Sequence, residues 1–308
     1  MLMKYVVVAS VLLMMPRLAL VQEPILLTHD GWVAAVAFAP DGKTLASAGA
    51  DNVVRLWEVG TWKPKGVLKG HTDCVCAVAY SSDGKWLATG SFDHTAKVWN
   101  VEKLRDEETL KHKGVVSAVL IDKSLGKFLV MTGGVEGTVR FWEAAQDGVE
   151  HQHKSWVNGL ATHGTRGVSA SSDGTLRLFD VDNDQSLEGG AGEVRTVAFS
   201  PDGKRLAAGN RYGTVRIWDV ASRKEIKTLT GHMGDVWSIA FSPDGKTLAA
   251  VDTDWKKPSK VKLYDTTTWK ERGSLSCPGE ILSIGYSPKG DWLAAGSWDK
   301  TVRLFAIK

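Results

Sequence analysis

Short bursts of alternating apolar and polar positions recur along this chain, each only five or six residues long. Residues 75–80 are typical: Val75, Ala77 and Ala79 alternate with Cys76, Val78 and Tyr80, a period of two that predicts a short β-strand. Ser82-Asp83-Gly84-Lys85 then reads as a turn, residues 86–91 as a second strand, and residues 96–99 as a third after another turn. A fourth strand beyond Lys103 leads to His112. The aromatic that closes each third strand recurs at Trp57, Trp99, Trp142, Phe179, Trp218, Tyr264 and Phe305, with gaps of 42, 43, 37, 39, 46 and 41 residues. Seven units of four short strands fill the chain from near Glu23 to Lys308 without a linker. That repeat predicts an all-β fold, a seven-bladed β-propeller of four-stranded antiparallel blades, rather than a sandwich.

The repeat also explains "PDGKT", which occurs at residues 40–44 and 243–247 and imitates the end of a phosphate-binding loop. Proline presets the turn, aspartate accepts local backbone hydrogen bonds, and glycine takes positive φ. A phosphate loop needs a glycine five residues before its Gly-Lys, and Ala37 and Ala240 stand there inside predicted strands. These are hairpin turns.

Gly70-His71 and Gly231-His232, with Trp57-Glu58, Trp99-Asn100 and Trp218-Asp219, make the chain resemble the WD40-repeat family over everything after its first twenty or so residues. The resemblance implies a hydrogen-bonded tetrad in each good unit: His29, Asp51, Ser47 and Trp57 in blade 1; His71, Asp93, Thr89 or Ser91, and Trp99 in blade 2. Such a set mimics a hydrolase triad. It recurs with the repeat, however, whereas a catalytic site is needed once, so its expected role is structural. Blade 3 has Glu136 for the aspartate, blade 5 has Gly190 and Tyr212 for the histidine and aspartate, and blade 7 has Cys277 for the histidine. Blade 4 keeps His153 and Asp173 but ends in Phe179, and blades 4 and 5 are expected to be held mainly by packing. The seventh unit stops after its third strand, and residues 23–27 precede His29 as residues 65–69 precede His71. The N-terminal strand is therefore expected to complete the last blade and close the ring.

Function has to be read from surfaces, since propellers host many activities. In WD40 proteins the face formed by the loop entering each first strand and the turn between the second and third commonly grips peptides or partner domains. Reading the residues flanking Val75, and the one before Asp93, around the ring places Trp32, Phe92, Trp156, Trp237 and Trp298 there, with Arg195 and Arg211 in blade 5. Tryptophan and arginine dominate binding hot spots. "TDWKKPSK" lengthens the blade 6 turn and adds Trp255. The leading expectation is a non-catalytic platform that binds a protein or peptide on this top face, with the two arginines favouring an acidic segment. The alternative is an exported propeller enzyme or small-ligand receptor using the central channel.

Composition narrows this little. A net charge of +3 gives no support to a nucleic-acid partner, and three cysteines are too few for a disulfide scaffold. Neither Cys74-Val75-Cys76 nor His151-Gln152-His153 has the second half a metal site needs, so no metal or cofactor is expected. Lys4 and the eleven-residue apolar run 5–15 suit a secretory leader over residues 1–21 and are too short to span a bilayer, leaving residues 22–308 as the propeller. The expected location is therefore exported, periplasmic or in the cell envelope. Translation starting at Met14 or Met15 would instead leave a cytoplasmic protein.

Overall fold

The computed structural model describes residues 23–122, 129–143, 146–180, 183–188, 192–254 and 257–307. Residues 1–21, expected to form a leader, and Gly190 and Trp255 lie outside the described residues. Among those described, the strands form seven four-stranded antiparallel sheets, and no helix is long and apolar enough to cross a membrane. The innermost strands are Val33–Phe38, Val75–Tyr80, Val116–Asp122, Val157–His163, Val194–Phe199, Ile239–Phe241 and Ile281–Tyr286. Each packs against the next, and the last packs against the first, so the sheets close into a seven-bladed ring.

Each blade follows from its residue types. The second strand Thr44–Gly49 is buried throughout and the other six over all but their first residue, because a neighbouring blade covers each face, and alanine and glycine allow that close approach. Outer strands are mostly exposed and rich in charge, as Arg105–Lys111 illustrates, and anchor themselves by one buried leucine: Leu68, Leu110 or Leu229. The "PDGKT" segments are hairpin turns. Gly42 and Gly245 sit at φ 70° and 69°, and Asp41 and Asp244 accept the amides of Lys43 and Lys246.

Ring closure is as expected. Ile25–Thr28 pairs antiparallel with Thr301–Ala306, from Ile25 opposite Leu304 to Thr28 opposite Thr301, and buries Leu27. Blade 4 departs from the pattern. Six second strands set Leu or Val opposite the closing aromatic, whereas Gly167 faces Phe179, whose ring fills the space a side chain at 167 would need.

Candidate interaction site

Two backbone features build the upper face. In every blade the turn after the second strand is tied to the loop before the first by an amide-to-carbonyl bond. Ala50 bonds to Trp32, Phe92 to Cys74, Val135 to Val115, Ser172 to Trp156, Arg211 to Glu193, Thr253 to Asp235 and Trp298 to Glu280, at 2.8–3.2 Å. The second feature is a β-bulge near the start of the first strand in six blades, at Ala34, Cys76, Ser117, Asn158, Arg195 and Leu282. A bulge re-aims one side chain, and all six point into one central cavity. In blade 6, where the inner strand starts only at Ile239, Trp237 takes the corresponding place.

The cavity has a volume of about 360 Å³. Beyond these seven positions its wall is Trp32, Phe92, Val115, Val135, Trp156 and Trp298. Six of the eight residues expected to bind a partner, Trp32, Phe92, Trp156, Arg195, Trp237 and Trp298, thus meet in one place. Arg211 stands outside the wall. Phe92, Trp156 and Trp298 are 42, 55 and 47% exposed, and Trp32 and Trp237 are half-buried. Trp32 stacks on Trp298 across the junction of blades 1 and 7, with centroids 4.8 Å apart.

The charged residues form one cluster on blades 5 and 6. Arg195 pairs with Glu193 at 2.9 Å and Asp235 at 3.4 Å, and its guanidinium lies 4.8 Å over the Trp237 ring. Arg211 reaches Glu193 at 2.6 Å. Burial raises the Asp235 carboxyl above its ordinary range, outweighing the pull of Arg195 and Arg211. Two guanidiniums therefore face two carboxylates, a balance hidden in the sequence because the partners lie 18 and 40 residues apart. Lys257, in the lengthened blade 6 turn, is exposed and approaches Asp254 at 3.8 Å. Two exposed side chains escaped the sequence reading: Tyr212 (68%) and Met233 (60%). The signal for Tyr212 was its place where other blades carry a buried aspartate.

The groups resembling catalytic machinery are hydrogen-bonded within their own blades. Trp99 Nε1 donates to Thr89 Oγ1 at 2.8 Å, Thr89 donates to His71 Nε2 at 2.7 Å, and His71 Nδ1 donates to Asp93 at 2.7 Å. Thr89, not Ser91, fills the tetrad; Ser91 bonds to the Asp73 carbonyl. Blade 1 repeats the chain through Trp57, Ser47, His29 and Asp51. Blade 4 keeps most of it, with His153 between Ser169 and Asp173, and is therefore held by more than the packing expected of it. Burial raises the Cys74 thiol to about 12 and Cys76 further, and Cys76 Sγ donates to the Val116 carbonyl at 3.1 Å. Neither thiol is poised as a nucleophile. His151 stacks on Phe179 instead of turning outward. Among the described residues no cluster of three or more His, Cys, Asp or Glu could hold a metal ion.

Fold and site together define a seven-bladed β-propeller with an aromatic cavity at one mouth of its ring. The family model described as "WD domain, G-beta repeat" matches residues 21–58, 62–100, 148–180, 183–219, 223–256 and 269–305, and the chain belongs to the WD40 family. Blade 3, which the model does not match, completes the ring. The WD repeat-containing protein VIP3 of Arabidopsis thaliana is 31% identical over 188 residues, 58% of this chain and 49% of that protein. A guanine nucleotide-binding protein subunit beta of Oryza sativa subsp. indica is 26% identical over 302 residues, 92% of this chain and 58% of that one. The pre-mRNA-processing factor 19 homolog 2 of Arabidopsis thaliana is 32% identical over 111 residues, 32% and 21% of the two chains. The chain spans about half the length of the first two of these curated relatives, and about a fifth of the third.

Proposed function

We propose that this propeller is a non-catalytic interaction platform, gripping a protein or peptide at the mouth of its central cavity. The observation that carries the reading is the convergence of five large aromatic side chains on one open cavity. Exposed aromatic rings are costly to leave in water and are the usual anchors of interfaces. The membership of one relative, by its name, in a larger assembly as a subunit agrees with this role. An acidic stretch of the partner would meet Arg211, the half-exposed outer cation of the cluster, in competition with Glu193.

Cross-linked capture from the native host tests the platform reading. Trp156→Ala and Trp298→Ala should both lose the same partner at an unchanged melting temperature; retention of that partner by both variants would refute the face assignment. Arg195→Glu is a poorer probe, because it would place a third carboxylate beside Glu193 and Asp235 and destabilise the rim. The leader reading adds export, checked by the N-terminal peptide of the mature protein. A start near residue 22 supports the cell envelope, and one at Met14 or Met15 assigns the cytoplasm.

A further inference from the structure

The cavity wall has two unlike halves. Blades 6, 7 and 1 line it with Trp237, Leu282, Ala34 and the Trp32–Trp298 stack, whereas blades 4 and 5 present the polar Asn158 and Arg195 beside Trp156. Both hydrogens of the Asn158 amide are engaged: Nδ2 donates to Ser172 Oγ at 2.8 Å and to the Val194 carbonyl at 2.7 Å. Its Oδ1 remains as an acceptor. The bond to Val194, the residue directly before Arg195, ties the two polar wall positions together. Arg195 is fixed by Glu193, Asp235 and the Trp237 ring, yet its buried Nε–H reaches no acceptor among the described residues. A buried donor without a partner is costly, and Asn158 Oδ1 is an open acceptor on the same cavity wall. The cluster of two arginines with Glu193 and Asp235 carries no excess charge, so a charged anchor entering the cavity would be desolvated without compensation.

We propose that the cavity receives the side chain of a tyrosine from the partner. The inference rests on the platform reading above and specifies its anchor. The flat ring lies among the indoles, and the hydroxyl, which both donates and accepts, takes the hydrogen of Arg195 Nε and gives its own to Asn158 Oδ1. Leucine would fill the apolar half and leave Arg195 Nε orphaned, and phenylalanine would do the same.

The test uses the full chain, with the indole N–H signals of Trp32, Trp156, Trp237 and Trp298 followed by NMR. The probes are N-acetyl-tyrosinamide, N-acetyl-phenylalaninamide, N-acetyl-argininamide and the α-amide of N-acetyl-aspartate. The tyrosine probe should shift all four signals and bind about tenfold more tightly than the phenylalanine probe, as two hydrogen bonds of ordinary strength imply. Arg195→Lys, which keeps the charge and loses Nε–H, should bring the tyrosine probe toward the phenylalanine level and leave the latter unchanged. Equal binding of tyrosine and phenylalanine, or preference for a charged probe, overturns the tyrosine assignment and leaves the face as a docking surface. If no probe shifts the cavity indoles, both readings fall. The wild-type comparison decides even if the variant does not fold.

Discussion

Blades 2 and 6 begin with the same dipeptide, Gly70-His71 and Gly231-His232, and both bury the imidazole, but the two rings do different things. In blade 2 a continuous chain of hydrogen bonds runs from Trp99 through Thr89 and His71 to Asp93. In blade 6 Ala250 stands where Thr89 stands, each opposite a lysine, Lys262 or Lys97, and the hydroxyl at the centre of the chain is gone. His232 Nε2 meets the Tyr264 hydroxyl at 3.0 Å, and its Nδ1 has no partner among the described residues. Asp252 does not orient the histidine; it accepts the amides of Met233 and Gly234. The same split runs around the ring. Blades 1 to 4 carry Ser47, Thr89, Thr132 and Ser169 at this position, whereas blades 5 to 7 carry Ala208, Ala250 and Ala295. The arc without the hydroxyl is also the arc that bears Glu193, Arg195, Arg211 and Asp235 on the upper face. The buried hydroxyl relay and the charged cluster are separate uses of one repeat.

The largest effect should come from breaking the relay. Asp93 accepts from His71, from the Thr72 amide and from Thr95, so Asp93→Ala takes the acceptor from the buried His71 imidazole and from two backbone amides and should cost about 1–3 kcal/mol. A double-mutant cycle with His71→Phe should return a coupling of about 1–2 kcal/mol. The matching cycle of Asp252→Ala with His232→Phe should return less than about 0.5 kcal/mol, since no hydrogen bond joins that pair. Equal couplings in urea melts would mean that the two blades are not different after all.

Acid separates the blades next. Burial lowers His232 from its ordinary 6.5 to about 4, opposed by the Asp252 carboxylate and assisted by Lys262. The unfolded chain then takes up a proton near pH 6.5 that the folded blade refuses until about pH 4, so stability falls as pH drops through that window. His71 acts in the same direction, through burial. Asp93 and Asp173 behave differently. Burial would raise them, but hydrogen bonds, led by those of Thr95 and Thr175, hold both at about 2. Their contribution persists until pH falls from the ordinary 3.8 toward 2. His232→Phe should therefore flatten melting temperature against pH between 6.5 and 4 and leave the slope below 4 unchanged. A slope unaffected in the upper window would show that His232 is not the group titrating there.

What could be read before the structure was whatever the repeat period carries. Blade number, the closing strand, the hairpin nature of "PDGKT" and the ring of positions facing the cavity all recur at fixed spacing, so one well-formed unit teaches the other six. What stayed hidden depends on pairs that the period does not align. Glu193 joins Arg195 and Arg211 through the turn of its own blade, and Asp235 reaches Arg195 from the next blade. Tyr264 replaces a tryptophan and accordingly recruits His232. The bulges that aim Asn158 and Arg195 inward were invisible because a strict alternation of two, once shifted by one residue, still looks like a strand.

The smallest effect tests the subtlest part of the contrast. Tyr264→Phe removes one hydroxyl and leaves the ring, its packing and the blade's register intact. His232 would then have no hydrogen bond on either nitrogen, while Asp252 keeps both of its amides. The expected loss is about 0.5–1.5 kcal/mol, below that of Asp93→Ala because one bond rather than several is broken. Replacing both partners, Tyr264→Phe with His232→Phe, should recover most of it, since two apolar rings of similar shape leave no polar atom stranded. Blade 2 offers a poorer rescue: His71→Phe leaves Asp93 bonded to Thr95 and Thr72 but takes the short 2.7 Å acceptor from the Thr89 hydroxyl, leaving it only the Lys97 carbonyl at 3.5 Å. Recovery in blade 6 without recovery in blade 2 would show that the histidine of the Gly-His dipeptide is dispensable where the central hydroxyl is absent. A double variant of blade 6 no more stable than Tyr264→Phe alone would mean that His232 contributes something beyond the bond it makes to Tyr264.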